Sequence, residues 1–186
     1  MAGECGLQIP TSLITNDPEA VLDFFERCKG EMIYKTLSGG MIVAESGEVV
    51  SIYTSQVKRD DLRDEASRVR YTACFFQELV PKKVELRITV VGEHVFPAEI
   101  SYAHAERAAV DWRTAYQDLQ YGMYQLPQDI HHKCLALVHK LGLSFAAIDM
   151  IVIMYNQMST PDRSCQGHRC QSIHSYLSET QQTARK

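Results

Sequence analysis

The chain has 186 residues with 45% hydrophobic and 23% charged residues, the balance of a soluble globular protein able to bury a core. A formal net charge of −4 argues against a general nucleic-acid binder, which is normally basic, but leaves room for a local phosphate site. No apolar run approaches the roughly 18 residues of a membrane helix, and the N-terminus Met1-Ala2-Gly3-Glu4-Cys5 lacks the basic and hydrophobic segments of a secretory signal. The six cysteines are scattered and four (Cys5, Cys28, Cys74, Cys134) sit in core-like contexts, which reads as reduced thiols in a cytoplasm.

Gly6 to Thr15 reads as a lead-in, with Ile9 to Thr15 a short edge strand after a proline-marked entry. Asn16-Asp17-Pro18-Glu19 is a helix start: a capping residue, proline in the first turn and early acids. The helix carries Val21, Leu22, Phe24 and Phe25 on its apolar side and ends at Lys29-Gly30. Glu31 to Leu37 is a strand broken by Ser38-Gly39-Gly40, and Met41–Ala44 and Val49–Thr54 are two short strands around Ser46-Gly47. Lys58 to Arg70 is densely charged and helical in part, with a solvated outer face.

The centre of the chain is residues 72–100. An apolar strand, Thr72 to Val80, turns polar at Gln77-Glu78 and is stopped by Pro81. A second strand, Val84 to Val91, alternates Leu86, Ile88 and Val90 with Glu85, Arg87 and Thr89, and Gly92-Glu93 turns it into a third, Val95 to Ile100. Glu85 and Arg87 are two apart and share a strand face. An acid beside a guanidinium after a hinge suits a ribose hydroxyl and a phosphate; the alternative is a cross-strand ion pair on a solvated sheet face.

Ala103 to Val110 is a polar loop or short helix leading to Asp111-Trp112-Arg113. Pro127 opens a helix through Leu141, with Ile130, Cys134, Leu137, Val138 and Leu141 at helical spacing, and Ser144 to Val152 is a last apolar strand whose single charge is Asp149. Residues 153–186 are rich in Ser, Thr, Gln and Arg without apolar periodicity, so the domain is assigned to 1–152 and the remainder to a polar, weakly ordered tail.

Several groups invite chemistry. Lys35 ends an apolar strand just before a glycine loop whose amides can approach an anion, although no Walker motif follows and a surface lysine fits the same pattern. Arg113 adds a second guanidinium to Arg87, so that two arginines and a lysine suffice to neutralise a triphosphate. Asp149 lies in a strand expected to be buried, where a carboxylate needs a cation or a strong donor. A magnesium ion on phosphates would serve, as would a satisfied strand-end position. Cys165, His168, Cys170 and His174 could ligate zinc but lack a Cys-x-x-Cys knuckle and an apolar surround. His131 and His132 are adjacent on a helix and cannot share a face.

In this order (lysine strand, glycine hairpin, Gln77-Glu78-Leu79-Val80 hinge, Glu85-x-Arg87 strand, Asp111-Trp112-Arg113, helix, Ile148-Asp149) the chain resembles the ATP-grasp ligases. It is most similar to those that mature ribosomal peptides, including the microviridin-type ring-closing enzymes, relatives of the RimK and glutathione synthetase ligases. The resemblance runs from Leu7 to Val152 and rests on Gly6–Asn16, Ile33–Leu37, Phe76–Val80, Val84–Gly92 and Ala147–Val152. It implies an α+β fold of two small subdomains whose antiparallel sheets sandwich ATP. Lys35 is then expected on ATP phosphate, and Gln77, Glu78, Leu79 and Val80 at the adenine. Glu85 is expected on the ribose, Arg87 and Arg113 as catalytic cations, and Asp149 on Mg2+. Such enzymes activate a carboxylate as an acyl phosphate, which an amine or hydroxyl displaces, so the expected partners are ATP and a peptide substrate or precursor peptide. A homodimer or a partner chain is compatible with this reading; a nucleic acid or a membrane is not expected. Two departures accompany the resemblance. The family carries an N-terminal domain ahead of the Gly6–Asn16 stretch, and it follows Ile-Asp with a Glu-x-Asn pair where this chain has Thr160-Pro161-Asp162-Arg163-Ser164. A truncated fold is therefore expected, either a ligase of doubtful turnover or a non-catalytic nucleotide- or peptide-binding remnant.

Overall fold

The computed structural model describes residues 1–37, 40–102, 110, 119–153 and 173–176, with residues 102 and 173–176 described by backbone alone. The chain divides into two compact units, one formed by Met1–Ile9, Pro81–Ser101 and Gln120–Lys186, the other by Pro10–Val80 and Tyr102–Leu119.

The second of these holds β1 (Ser12–Thr15), α1 (Pro18–Arg27), β2 (Met32–Lys35), β3 (Met41–Val43), β4 (Val49–Ser51), β5 (Ser55–Val57), α2 (Arg59–Glu65) and β6 (Cys74–Glu78). Four strands make a sheet of order β1-β6-β2-β5, and every pairing in it is antiparallel. Asp17 caps α1 by accepting from the Glu19 N–H at 3.0 Å, with Pro18 in the first turn where its missing donor is not needed. The helix buries Val21, Phe24 and Phe25 against Met32, Val57, Cys74 and Phe76. Leu22, expected on that apolar side, is 43% exposed, because the buried positions 21, 24 and 25 already fill the stripe one helix face offers. A 3-10 segment, Ala66–Tyr71, continues α2 and buries Val69 in the same core. The hairpin β3–β4 pairs with itself alone among the described residues. On β6 the side chains alternate, so Cys74 and Phe76 enter the core under α1 while Phe75 and Gln77 point to the other face.

The other unit holds β7 (Val84–Val91), β8 (His94–Tyr102), β9 (Leu119–Met123), α3 (Gln128–Lys140), β10 (Phe145–Val152) and β11 (Ile173–Tyr176) in a five-stranded sheet of order β11-β10-β7-β8-β9. β7 and β10 run antiparallel through an eight-residue register from Val84↔Val152 to Val91↔Phe145. Their inward residues, Leu86, Ile88 and Val90 on one and Ala146, Ile148, Met150 and Val152 on the other, pack with Ile130, Cys134, Leu137 and Val138 of α3. Leu7, which reads as part of a lead-in, is only 3% exposed and completes that core with Ala2. Gly92 supplies the positive φ of the β7–β8 turn.

Three elements depart from the sequence reading. β5 separates from β4, β9 lies in a stretch to which no element was assigned, and β11 lies inside the expected polar tail, paired antiparallel with β10 from Asp149↔Tyr176 to Val152↔Ile173. Edge pairing uses backbone donors and acceptors, so it needs no apolar periodicity in the added strand. The expected loop at 103–109 and the rest of 154–186 lie outside the described residues.

Candidate functional site: a glutamine hinge and a charged sheet face

The four-stranded sheet brings Lys35 and Gln77 to one face. The β2–β6 register sets Lys35 opposite Phe75 and Ile33 opposite Gln77, and Phe75 and Gln77 share the face turned away from α1. Lys35 has interactions of its own there. Gln77 is 6% exposed; its Nε2 donates to Ser12 Oγ at 2.8 Å, and its buried Oε1 meets no donor. The hinge then spends two of its amides on neighbours. Glu78 N–H donates to the Thr11 carbonyl and Leu79 N–H to the Glu31 carbonyl, both at 2.9 Å. The buried Val80 makes no backbone hydrogen bond through its N–H among the described residues. Among the described residues, Gln77 Oε1 at the C-terminal end of β6 is thus a buried acceptor without a donor, where buried polar groups are normally paired.

On the five-stranded sheet, Glu85 and Arg87 share the face opposite the α3 core, as their spacing predicts. They do not pair with each other. Arg87 lies opposite Asp149 in the register; its Nε donates to Oδ1 at 2.8 Å and its Nη2 to Oδ2 at 2.9 Å. The side chains are 34% and 15% exposed. The hydrogen bonds to Asp149 hold the Arg87 guanidinium above its ordinary pKa, against the opposing effect of burial. Glu85 accepts from Lys82 Nζ at 3.1 Å, both side chains being 11% exposed. Of the expected ribose acid, catalytic arginine and magnesium ligand, each is thus engaged by a neighbouring charge.

Magnesium needs an octahedron of hard oxygens, in proteins led by carboxylates. Among the described residues no cluster of three or more His, Cys, Asp or Glu side chains forms, and both oxygens of Asp149 lie in the Arg87 fork. As placed, the described residues do not offer a magnesium ion its oxygen cage.

Ser38, Gly39, Asp111, Trp112, Arg113 and Asp162 lie outside the described residues, as do Cys165, His168 and Cys170 of the zinc alternative and the side chain of His174. Cys5, Cys28, Cys74 and Cys134 are free thiols, and burial pushes Cys134 up to about 12. No helix among the described residues is long and apolar enough to cross a membrane. Two partners were missed in the sequence. Lys82, three residues before Glu85, was legible in principle from spacing, whereas Ser12, 65 residues from Gln77, left no local signal.

No protein-family profile matches the chain, and no curated protein matches it significantly. Solved structures do. The macrocyclase MdnC of Microcystis aeruginosa MRC, bound with the precursor peptide MdnA, is 35% identical over 82% of this chain and 44% of its own, with a TM-score of 0.68. A ribosomal-peptide-associated ATP-grasp ligase of Chryseobacterium gregarium, in complex with ADP and a leader and core peptide, is 35% identical over 82% of this chain and 45% of its own, with a TM-score of 0.75. The ATP-grasp ligase PsnB with its minimal precursor is 26% identical over 81% and 44%, with a TM-score of 0.64. The chain spans less than half the length of each. With two antiparallel sheets, each backed by a helix, and these neighbours, the chain has an ATP-grasp fold, similar to the ribosomal-peptide ligases over the part of their length that it spans.

Proposed function

We propose that the chain is the nucleotide-binding part of an ATP-dependent ligase acting on a peptide. The carrying observation is one face of the four-stranded sheet, where Lys35 and Gln77 lie together and the Gln77 amide oxygen meets no donor among the described residues. A lysine beside a polar amide on one sheet face suits the phosphates of a nucleotide. The solved neighbours hold ADP and precursor peptides, which favours ATP and a peptide here.

In this reading a peptide carboxylate oxygen attacks the terminal phosphorus of ATP and ADP leaves, giving an acyl phosphate. An amine or hydroxyl then attacks the acyl carbon, inorganic phosphate departs with the C–O electron pair, and the nucleophile loses its proton. The chain's part is positioning and charge neutralisation by Lys35, Arg87 and Arg113, as is general for phosphoryl transfer. Glu85 would reach a ribose only by sharing itself with Lys82.

A second reading, nucleotide binding without turnover, is favoured by Asp149, whose carboxylate is held by Arg87 where the family expects a metal ligand. One experiment separates the two. The chain is titrated with ATP in a thermal melt, with and without Mg2+, and phosphate release is followed with a leader–core peptide present. Stabilisation with phosphate release supports the ligase; stabilisation without release, unchanged by chelation, supports the binding remnant. No stabilisation by ATP overturns both.

A further inference from the structure

The fork at Arg87 shows what it is shaped to hold. A guanidinium presents parallel N–H groups at a spacing that matches two oxygens of a carboxylate or a phosphate. Here Nε and Nη2 take Oδ1 and Oδ2 of Asp149 at 2.8 and 2.9 Å, on the sheet face opposite the α3 core. Arg87 is the more open of the two, 34% exposed against 15%, so the guanidinium is the partner that a dissolved anion can reach. Asp149, expected to hold a cation from outside, holds one from the chain itself. Beside this pair Glu85 accepts from Lys82 at 3.1 Å. Two cations and two carboxylates cancel, and the four together carry no net charge to attract an anion.

We infer that Arg87 is an oxyanion subsite whose resident occupant is the chain's own Asp149, an internal competitor of the phosphate or carboxylate that the site takes from solution. The inference rests on the ligase reading above, in which both ligands carry such an oxyanion, and adds how the ligand is admitted. Competition has a definite consequence. Apparent affinity falls with the fraction of the site that stands open, and a carboxylate held opposite Arg87 by the sheet register keeps that fraction small. Removing the charge of Asp149 should therefore tighten ligand binding. A carboxylate that serves a bound metal gives the opposite sign, since its loss weakens binding. Asp149→Asn keeps the shape and leaves one acceptor oxygen where there were two, which opens half of the fork. Asp149 touches no ligand in this scheme; it is a positioning residue acting through Arg87.

The test is calorimetric titration in EDTA of the full chain, of Asp149→Asn and of the double variant Arg87→Gln with Asp149→Asn. Asp149→Ala takes the place of the asparagine variant should that one fail to fold. The probes are ATP, adenosine and a short glutamyl peptide with both ends blocked. Adenosine carries no oxyanion, so it reports any general change in the site. Asp149→Asn should tighten ATP about three- to thirtyfold relative to adenosine, a range lowered from that of a buried contact because Arg87 is one-third exposed. The double variant should lose that gain. Tightening of ATP alone assigns the subsite to nucleotide phosphate, and tightening of the peptide alone assigns it to a peptide carboxylate. A merely structural role for Asp149 would weaken ATP and adenosine together, which overturns the competitor. So does an absence of gain for both anions, or a gain that survives without Arg87. Failure of every variant to bind ATP or adenosine, with the peptide still tightened, overturns the nucleotide site and leaves the subsite standing.

Discussion

Arg87 and Asp149 stand directly opposite each other on β7 and β10, and the guanidinium takes both carboxylate oxygens at 2.8 and 2.9 Å. Fork-to-fork pairing of this kind is geometrically specific, and here it is set by a sheet register that the α3 core underneath holds fixed. Removing one partner leaves a partly buried charge alone. Asp149→Asn or Arg87→Gln should each cost about 1–2 kcal/mol, a range reduced from the fully buried case because Arg87 is one-third exposed. Urea unfolding of the two single variants and the double variant measures the coupling. Additive losses would show that the fork contributes nothing of its own.

Glu85 and Lys82 make a second pair at three-residue spacing, less exposed than the first. A charge stranded at such a site is expensive, so Lys82→Met alone should destabilise by about 3 kcal/mol, while Lys82→Met with Glu85→Gln should recover much of that loss. Chemical denaturation gives the numbers. A double variant as unstable as the sum of its parts would mean that the other contacts of these residues dominate.

The elements legible in the sequence are those with one buried face. Leu86, Ile88 and Val90 alternate because the α3 core buries them, and β7 is found where that alternation places it, at Val84–Val91. Ile130, Cys134, Leu137 and Val138 mark α3 for the same reason. β9 buries no residue fully, so it carries no alternation to read, and β11 is recruited by backbone pairing with β10. The candidate site was legible as a set of residue types and illegible as a set of pairings. Glu85 and Arg87 announce a charged face, but their partners depend on register. Asp149 lies 62 residues from Arg87 and Ser12 lies 65 from Gln77, distances over which local propensity carries no information.

Gly40 opens the β3–β4 hairpin at a φ of +55°, and a Cβ built on it would stand 2.8 Å from the Ile52 carbonyl oxygen. Both the left-handed backbone and the contact oppose a side chain, and the contact is with backbone that cannot swing aside. Gly40→Ala should therefore loosen the hairpin by about 1–3 kcal/mol without touching the α1 core. Hydrogen exchange should show faster exchange confined to residues 41–52, with the amides of β2 and β6 unchanged. Uniform acceleration across that sheet would mean that the hairpin and the sheet unfold as one unit.

Cys134 gives a pH dependence with a definite sign. Its thiol is fully buried between α3 and the β7–β10 sheet, and burial raises its pKa from an ordinary 9.0 to about 12. The folded state thus keeps the proton after the unfolded chain has released it. The neutral thiol's contribution to stability is complete below pH 9, and it is lost progressively as pH climbs toward 12, at no more than about 1.4 kcal/mol per pH unit. Cys28, Cys74, Tyr34 and Tyr124 are shifted upward as well and add slope of the same sign, so the comparison must be between variants. Cys134→Val keeps the volume and removes the titration; its urea midpoint should fall less between pH 8 and pH 10.5 than that of the unsubstituted chain. Matching slopes for the two proteins would mean that Cys134 ionises without unfolding the core around it, against the burial on which the shift depends.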